Sequence, residues 1–221
     1  MLSHSMSVFI ATLIACSLSP TLTFAATFKT EKSEVQFENV DLLSSAEMGL
    51  SETEHFTLSP FNHGLRKAAL YGLVPVPIYV LQFLTSRPQK MSRSDDSIIK
   101  SLKEAGPIEL YFTMLRNLPG LKMVELFKEG LVANHLGPRH LSTEIEQFLN
   151  EIQNMTELKK GSSFSVNAIW KDKQVTLFLQ DPGGEIKSVT GPEEFADHFF
   201  SIWFGKPSDP KVKELKKDLL R

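Results

Sequence analysis

Cysteine is almost missing from this chain. Cys16 is the single one in 221 residues, so no internal disulfide can brace the fold. An excess of charge of either sign is missing too. Lys and Arg number 24 against 26 Asp and Glu, a formal charge of -2. Nucleic acid wants a basic face, so it is not an expected partner. The chain carries no Gly-x-Ser-x-Gly elbow, no P-loop and no dinucleotide fingerprint. The histidines His4, His55, His63, His135, His140 and His198 are scattered. His135 and His140 flank a turn, with no third ligand at metal-binding spacing. Neither a metal nor a cofactor is therefore expected. The apolar run near the start, 8–16, is too short to span a bilayer.

That run shapes the reading of the N-terminus. Residues 8–16 are followed by Pro20 and by small residues up to Ala25, as in a signal peptide cut after Ala25. Met1 to Ala25 contain no Lys, Arg, Asp or Glu, so the usual basic start is missing. A second reading takes Leu13-Ile14-Ala15-Cys16 as a bacterial lipoprotein box, with lipid on Cys16. Cleavage after Ala25 suits Pro20 and the small residues better. The expected organisation is a signal peptide over 1–25 and one domain over 26–221. Its length is sufficient for a real core, and its address is periplasmic or otherwise exported.

Residues 27–59 read as polar and mixed, with short strands at 35–37 and 55–58. Residues 65–84 read as one or two strands, where Pro75 and Pro77 imply an edge strand or a bulge. Ser94 opens a helix that stops at Gly106-Pro107. Residues 108–114 form a strand. Leu121, Val124, Phe127 and Leu131 recur at helical spacing, and Ser142 caps a further helix. Phe164 to Val189 alternate through two turns, which predicts an antiparallel three-strand meander. Helices open at Pro192 and at Asp209-Pro210. Strands at both ends with helices between and after predict an α+β fold, helices layered on one face of an antiparallel β-sheet.

Arg66 stands at the start of the apolar stretch that carries Tyr71 and Tyr79. A guanidinium facing apolar strands is costly unless an anion or strong acceptor meets it. Arg66 is thus the leading site candidate. The competing reading is a strand arginine that reaches water or pairs with an acidic residue. Tyr79 by itself reads first as a core tyrosine with a satisfied hydroxyl. Phe195 to Phe204 reads as core, with the wall of an acyl tunnel as the alternative. Glu104, Glu109, Glu125 and Glu129 read as surface carboxylates.

Three stretches together carry a family resemblance. They are Asn62-His63-Gly64-Leu65-Arg66 leading to Tyr79 and Phe83; Lys128 to Asn134; and Glu194 to Pro207 followed by 215–220. In order and spacing they resemble the chalcone isomerase-like domain, especially its exported bacterial branch, over roughly 35–221. The resemblance implies a sheet with helices on one side and a ligand cleft between. It implies that Arg66 and Tyr79 hold the carboxylate of a fatty acid, as in the fatty-acid-binding members. The catalytic tyrosine of the isomerases aligns with Met123, whose thioether cannot do a phenol's acid–base work.

The expectation is an exported, non-catalytic protein that binds a small amphipathic anion, with Arg66 and Tyr79 as ligand residues and no catalytic residue. The alternatives are an intramolecular lyase of chalcone isomerase type and a cell-envelope interaction module without ligand.

Overall fold

The computed structural model describes residues 26–69, 74–95, 97–137, 141–155 and 157–221. The expectations for 1–25 with Cys16, and those for Tyr71 and His140, lie outside these residues. The strands are β1 (Thr27–Phe37), β2 (Val40–Gly49), β3 (His55–Ala68), β4 (Val76–Thr85), β5 (Ile108–Met114), β6 (Ser163–Lys171), β7 (Gln174–Gln180) and β8 (Ile186–Pro192). The helices are α1 (Ile98–Ala105), α2 (Gly120–Ala133), α3 (Thr143–Gln153), α4 (Glu193–Phe204) and α5 (Pro210–Leu219). All neighbouring strands pair antiparallel in the order β1 to β8. The fold is α+β, as the sequence pattern predicts.

Alternation decides which face the helices cover. Ile108, Leu110, Phe112 and Met114 of β5 point into the main core, with Phe164 and Val166 of β6. They meet Phe127 of α2, Phe148 of α3 and Phe195, Phe199 and Trp203 of α4. Each such side chain contributes about 1.5–3 kcal/mol by leaving water. Local chemistry sets the helix starts. The Ser142 hydroxyl accepts from the Ile145 amide, and the Asp209 carboxylate accepts from the amides of Lys211 and Val212. α1 begins four residues after Ser94, whose carbonyl instead closes a turn by accepting from Ser97 and Ile98.

The opposite face holds what the sequence hides. β1 and β2 are long strands, not the short segments that composition predicts. β1 is largely exposed and rich in charge, so no buried alternation marks it. β3 is shared: residues 55–58 pair with β2, and residues 59–68 pair with β4. The β1–β2 hairpin thereby folds against the back of the sheet. Leu43 donates its amide to Gln82 Oε1 of β4 at 2.8 Å, and Phe28 meets Phe178 of β7 edge to face at 5.5 Å. Leu43, Ala46, Met48, Leu58 and Leu84 form a second small core there.

This layer overturns one surface reading. Glu104, Glu125 and Glu129 are exposed, but Glu109 is only 1% exposed. It points to the back of β5, which would meet solvent had the hairpin not covered it. The prolines resolve as a bulge. Lys67 pairs with Pro77 and Arg66 with Tyr79, so Ile78 is the extra residue on β4. β4 lies between β3 and β5, so it is no edge strand.

Candidate functional site

The buried face of β3 carries Gly64, Arg66 and Ala68 at period two. Gly64 is there because α5 lies against it. A Cβ on Gly64 would come within 2.7 Å of Leu215 Cδ1 and 3.0 Å of Asp218 Cβ. That close approach brings the start of α5 to Arg66, two residues further along the same face.

Arg66 is 3% exposed, and it is neither snorkelling nor bare. Its guanidinium grips the Asp209 carboxylate with two bonds, Nη2 to Oδ2 at 2.7 Å and Nη1 to Oδ1 at 3.2 Å. Nη1 also donates to the Lys67 carbonyl. The planar fork is well suited to this bidentate contact. Asp209 does double duty, since the same carboxylate caps α5. Burial pushes its acidity the other way, but the bonds from Arg66 and from the Val212 and Lys211 amides prevail. Its carboxyl is held below the usual range.

Tyr79 lies directly across from Arg66 in the β3–β4 register. It is buried, and its hydroxyl accepts a bond from Trp203 Nε1 of α4 at 3.0 Å. Burial raises its pKa, with the Arg66 charge acting against the rise. Trp203 is the hub of an aromatic cluster. Its ring lies 5.0 Å from Phe127, 5.5 Å from Phe112 and 5.5 Å from Phe199. The phenylalanine-rich face of α4 thus fills the space between helices and sheet.

What remains beside Arg66 and Tyr79 is a cavity of about 10 Å³, closed by Leu126, Phe127, Ile202, Trp203, Ser208 and Val212. That is room for about one water. Among the described residues nothing accepts the Tyr79 proton, and the buried Ser208 Oγ has no partner. The sequence singled out Arg66 and Tyr79, and the fold brings them together. It did not reveal Asp209, Trp203 or Ser208 as their neighbours. Asp209 was legible only as a helix start. Met123 is fully buried in α2 and does not line this cavity. His63 lies within β3, half-buried, with its ring 4.7 Å from Phe37.

Asn134, which ends the Lys128–Asn134 stretch, has a structural task. Its amide donates to the carbonyls of Gly130, Ser201 and Lys206 and accepts from the Lys206 amide. This ties α2 to the end of α4, which carries Trp203. Among the described residues no group of three or more His, Cys, Asp or Glu is gathered for a metal. Nor is any described helix long and apolar enough to cross a membrane.

The family profile described as chalcone isomerase-like matches residues 62–221. The chain belongs to the chalcone isomerase-like family. A crystal structure of a fatty-acid binding protein from Arabidopsis thaliana shares its fold, with a TM-score of 0.59 and 14% identity. The match covers 87% of this chain and 96% of that one. No curated protein matches the sequence.

Proposed function

We propose that this protein is a non-catalytic binder of a small amphipathic carboxylate such as a fatty acid, working after export with residues 1–25 removed. Arg66 takes the head group, and Tyr79 and Ser208 offer hydroxyls to it. The observation that carries the reading is the nature of Arg66's partner. A buried guanidinium is satisfied by a single carboxylate, and that carboxylate comes from the first turn of the last helix. Asp209 stands where a ligand's carboxylate would bind. Its similarity in fold to a fatty-acid binding protein supports the same reading.

The cavity of about 10 Å³ admits no acyl chain. Binding therefore requires α5 to draw back, so that Asp209 releases Arg66 and the tail enters beside Val212 and Ile202. The ligand's charge-assisted bonds are worth about 1.5–3 kcal/mol. They replace those of Asp209, so net affinity comes from the tail, at about 0.8 kcal/mol per buried methylene. The observed affinity is lowered by the fraction of molecules that are shut.

A second reading has its own observation. The core is filled by aromatic rings, and Arg66 is fully paired, as in an envelope interaction module that holds no ligand. Titration of a fatty acid and the matching alcohol into wild type, Arg66→Ala and Asp209→Asn separates the two. Asparagine still caps the helix but no longer competes as a charge. We expect Asp209→Asn to bind the acid about 10- to 100-fold tighter and Arg66→Ala to lose the acid far more than the alcohol. Equal effects on acid and alcohol would reject the head-group role. Absence of saturable binding in all three proteins would select the second reading.

A further inference from the structure

Beneath the β1–β2 hairpin lies a polar group that the Arg66 site does not use. Glu109 of β5 is 1% exposed, and Ser165 and Asn167 of β6 are 1% and 0% exposed. Glu109 and Asn167 are direct cross-strand partners. Opposed residues point to the same face with Cβ atoms about 4.5–5.5 Å apart. Two of their oxygens, Glu109 Oε1 and Asn167 Oδ1, have no partner among the described residues.

The remaining bonds fix who donates. Asn167 Nδ2 donates to Ser165 Oγ at 2.8 Å. The Ser165 hydroxyl, diagonal to Glu109 across the β5–β6 pair, is then left to give its own proton to the Glu109 carboxyl. The amide is thereby oriented, and Oδ1 is the atom left over. Two lone acceptors on facing residues repel, whereas one proton between them satisfies both.

We propose that Glu109 is a neutral acid sharing its proton with the Asn167 amide oxygen, and that loss of this proton unlatches the N-terminal hairpin from the sheet. The hairpin is the part that would respond, because it is what keeps water from Glu109. The hairpin is held by the Gln82–Leu43 bond and the small core of Leu43, Ala46, Met48, Leu58 and Leu84, Leu84 being Glu109's partner on β4.

Among the described residues of β2 to β6, no other charged side chain faces Glu109. β4 presents Gln82 and Leu84, and β6 presents Ser165 and Asn167. On β5 the next residue of that face is Tyr111, partly buried against the hairpin core. β2 and β3 present the apolar residues named above, while Glu47 and His55 are exposed. Glu54 and Lys171 pair with each other at 3.5 Å. Burial accordingly governs the acid and pushes it up to about 7, with the Ser165 bond pulling the other way. The folded value exceeds the unfolded one. The latch is therefore complete below the unfolded range and is lost as pH rises through about 7.

The test uses the whole protein. A titration of the glutamate side-chain carboxyls by carbon-13 NMR should show one titrating near neutrality, and Glu109→Gln should remove it. Hydrogen exchange, corrected for intrinsic rates, should show hairpin protection falling on the order of 100-fold between pH 5 and pH 8. The meander β6–β8 should change less. Glu109→Gln, which can donate its amide to Asn167 at every pH, should hold the hairpin shut throughout. The latch is refuted if every glutamate titrates in the ordinary range, which wild type alone can decide. It is equally refuted if hairpin protection ignores pH in wild type, or follows pH alike in Glu109→Gln.

Discussion

Arg66 and Asp209 form a pair that braces the fold and that, in the proposed function, opens to let Arg66 take the ligand's carboxylate. A buried guanidinium that loses the carboxylate it grips is costly, up to about 3–5 kcal/mol where both partners are fully buried and less here, because Asp209 is partly exposed. Asp209→Ala also removes a cap worth about 1 kcal/mol. We expect that variant to be among the least stable point changes in α5, measured as the denaturant midpoint. The pH dependence has a definite sign. Asp209's folded value lies below its unfolded one, so its contribution is present above the ordinary carboxylate range and is lost only as pH falls through the depressed value. Asn134 works at the same scale. Asn134→Ala strips four bonds, three of which join α2 to the end of α4 and to Lys206 just beyond it, and we expect a loss of about 2–4 kcal/mol by chemical denaturation. A loss below 0.5 kcal/mol would mean that water replaces the amide there.

At the scale of elements, the Gly64-x-Arg66 pattern acquires a physical meaning. The glycine admits α5, and the arginine receives that helix's first turn. Gly64→Val should lift α5 off β3 and cost about 1–3 kcal/mol by overpacking. It should also loosen Arg66 from Asp209, seen as faster exchange of the Lys211 and Val212 amides. Unchanged exchange would separate the two functions of the motif. The elements that the sequence displayed best are those with a single apolar stripe, such as β5, α3 and the meander. β2 stayed hidden because its buried residues do not alternate, and β1 because charged side chains dominate its exposed face. Glu109 was misread for a similar reason. Its strand face is polar, and only knowledge of the hairpin reveals that this face is covered. Asp209 was readable as a cap but not as Arg66's partner, because the two are 143 positions apart and meet only once the chain between them has folded.

The whole molecule is a sheet covered on both sides, by helices in front and by its own N-terminal hairpin behind. Two carboxyl groups, Glu109 buried and Asp209 partly buried, tilt its stability with pH in opposite directions. Glu109's share, about 3 kcal/mol between its ordinary value of 4.5 and about 7, disappears on the alkaline side. Asp209's share disappears on the acid side. We expect the melting temperature to peak in weak acid, below neutrality, and Glu109→Gln to flatten the alkaline limb alone. A plateau across pH 5–8 in wild type would leave the Glu109 part of that expectation without support.

The central claim is that Arg66 holds a ligand's carboxylate in exchange for Asp209. The most direct measurement is mass spectrometry of an organic extract of the protein, purified from Ala26 onward without detergent, beside its Arg66→Ala and Asp209→Asn variants. We expect an acyl species that is enriched in Asp209→Asn, present in wild type and lost from Arg66→Ala. Protein that is empty in all three, while remaining folded, would contradict the claim and leave Arg66 and Asp209 as a structural pair.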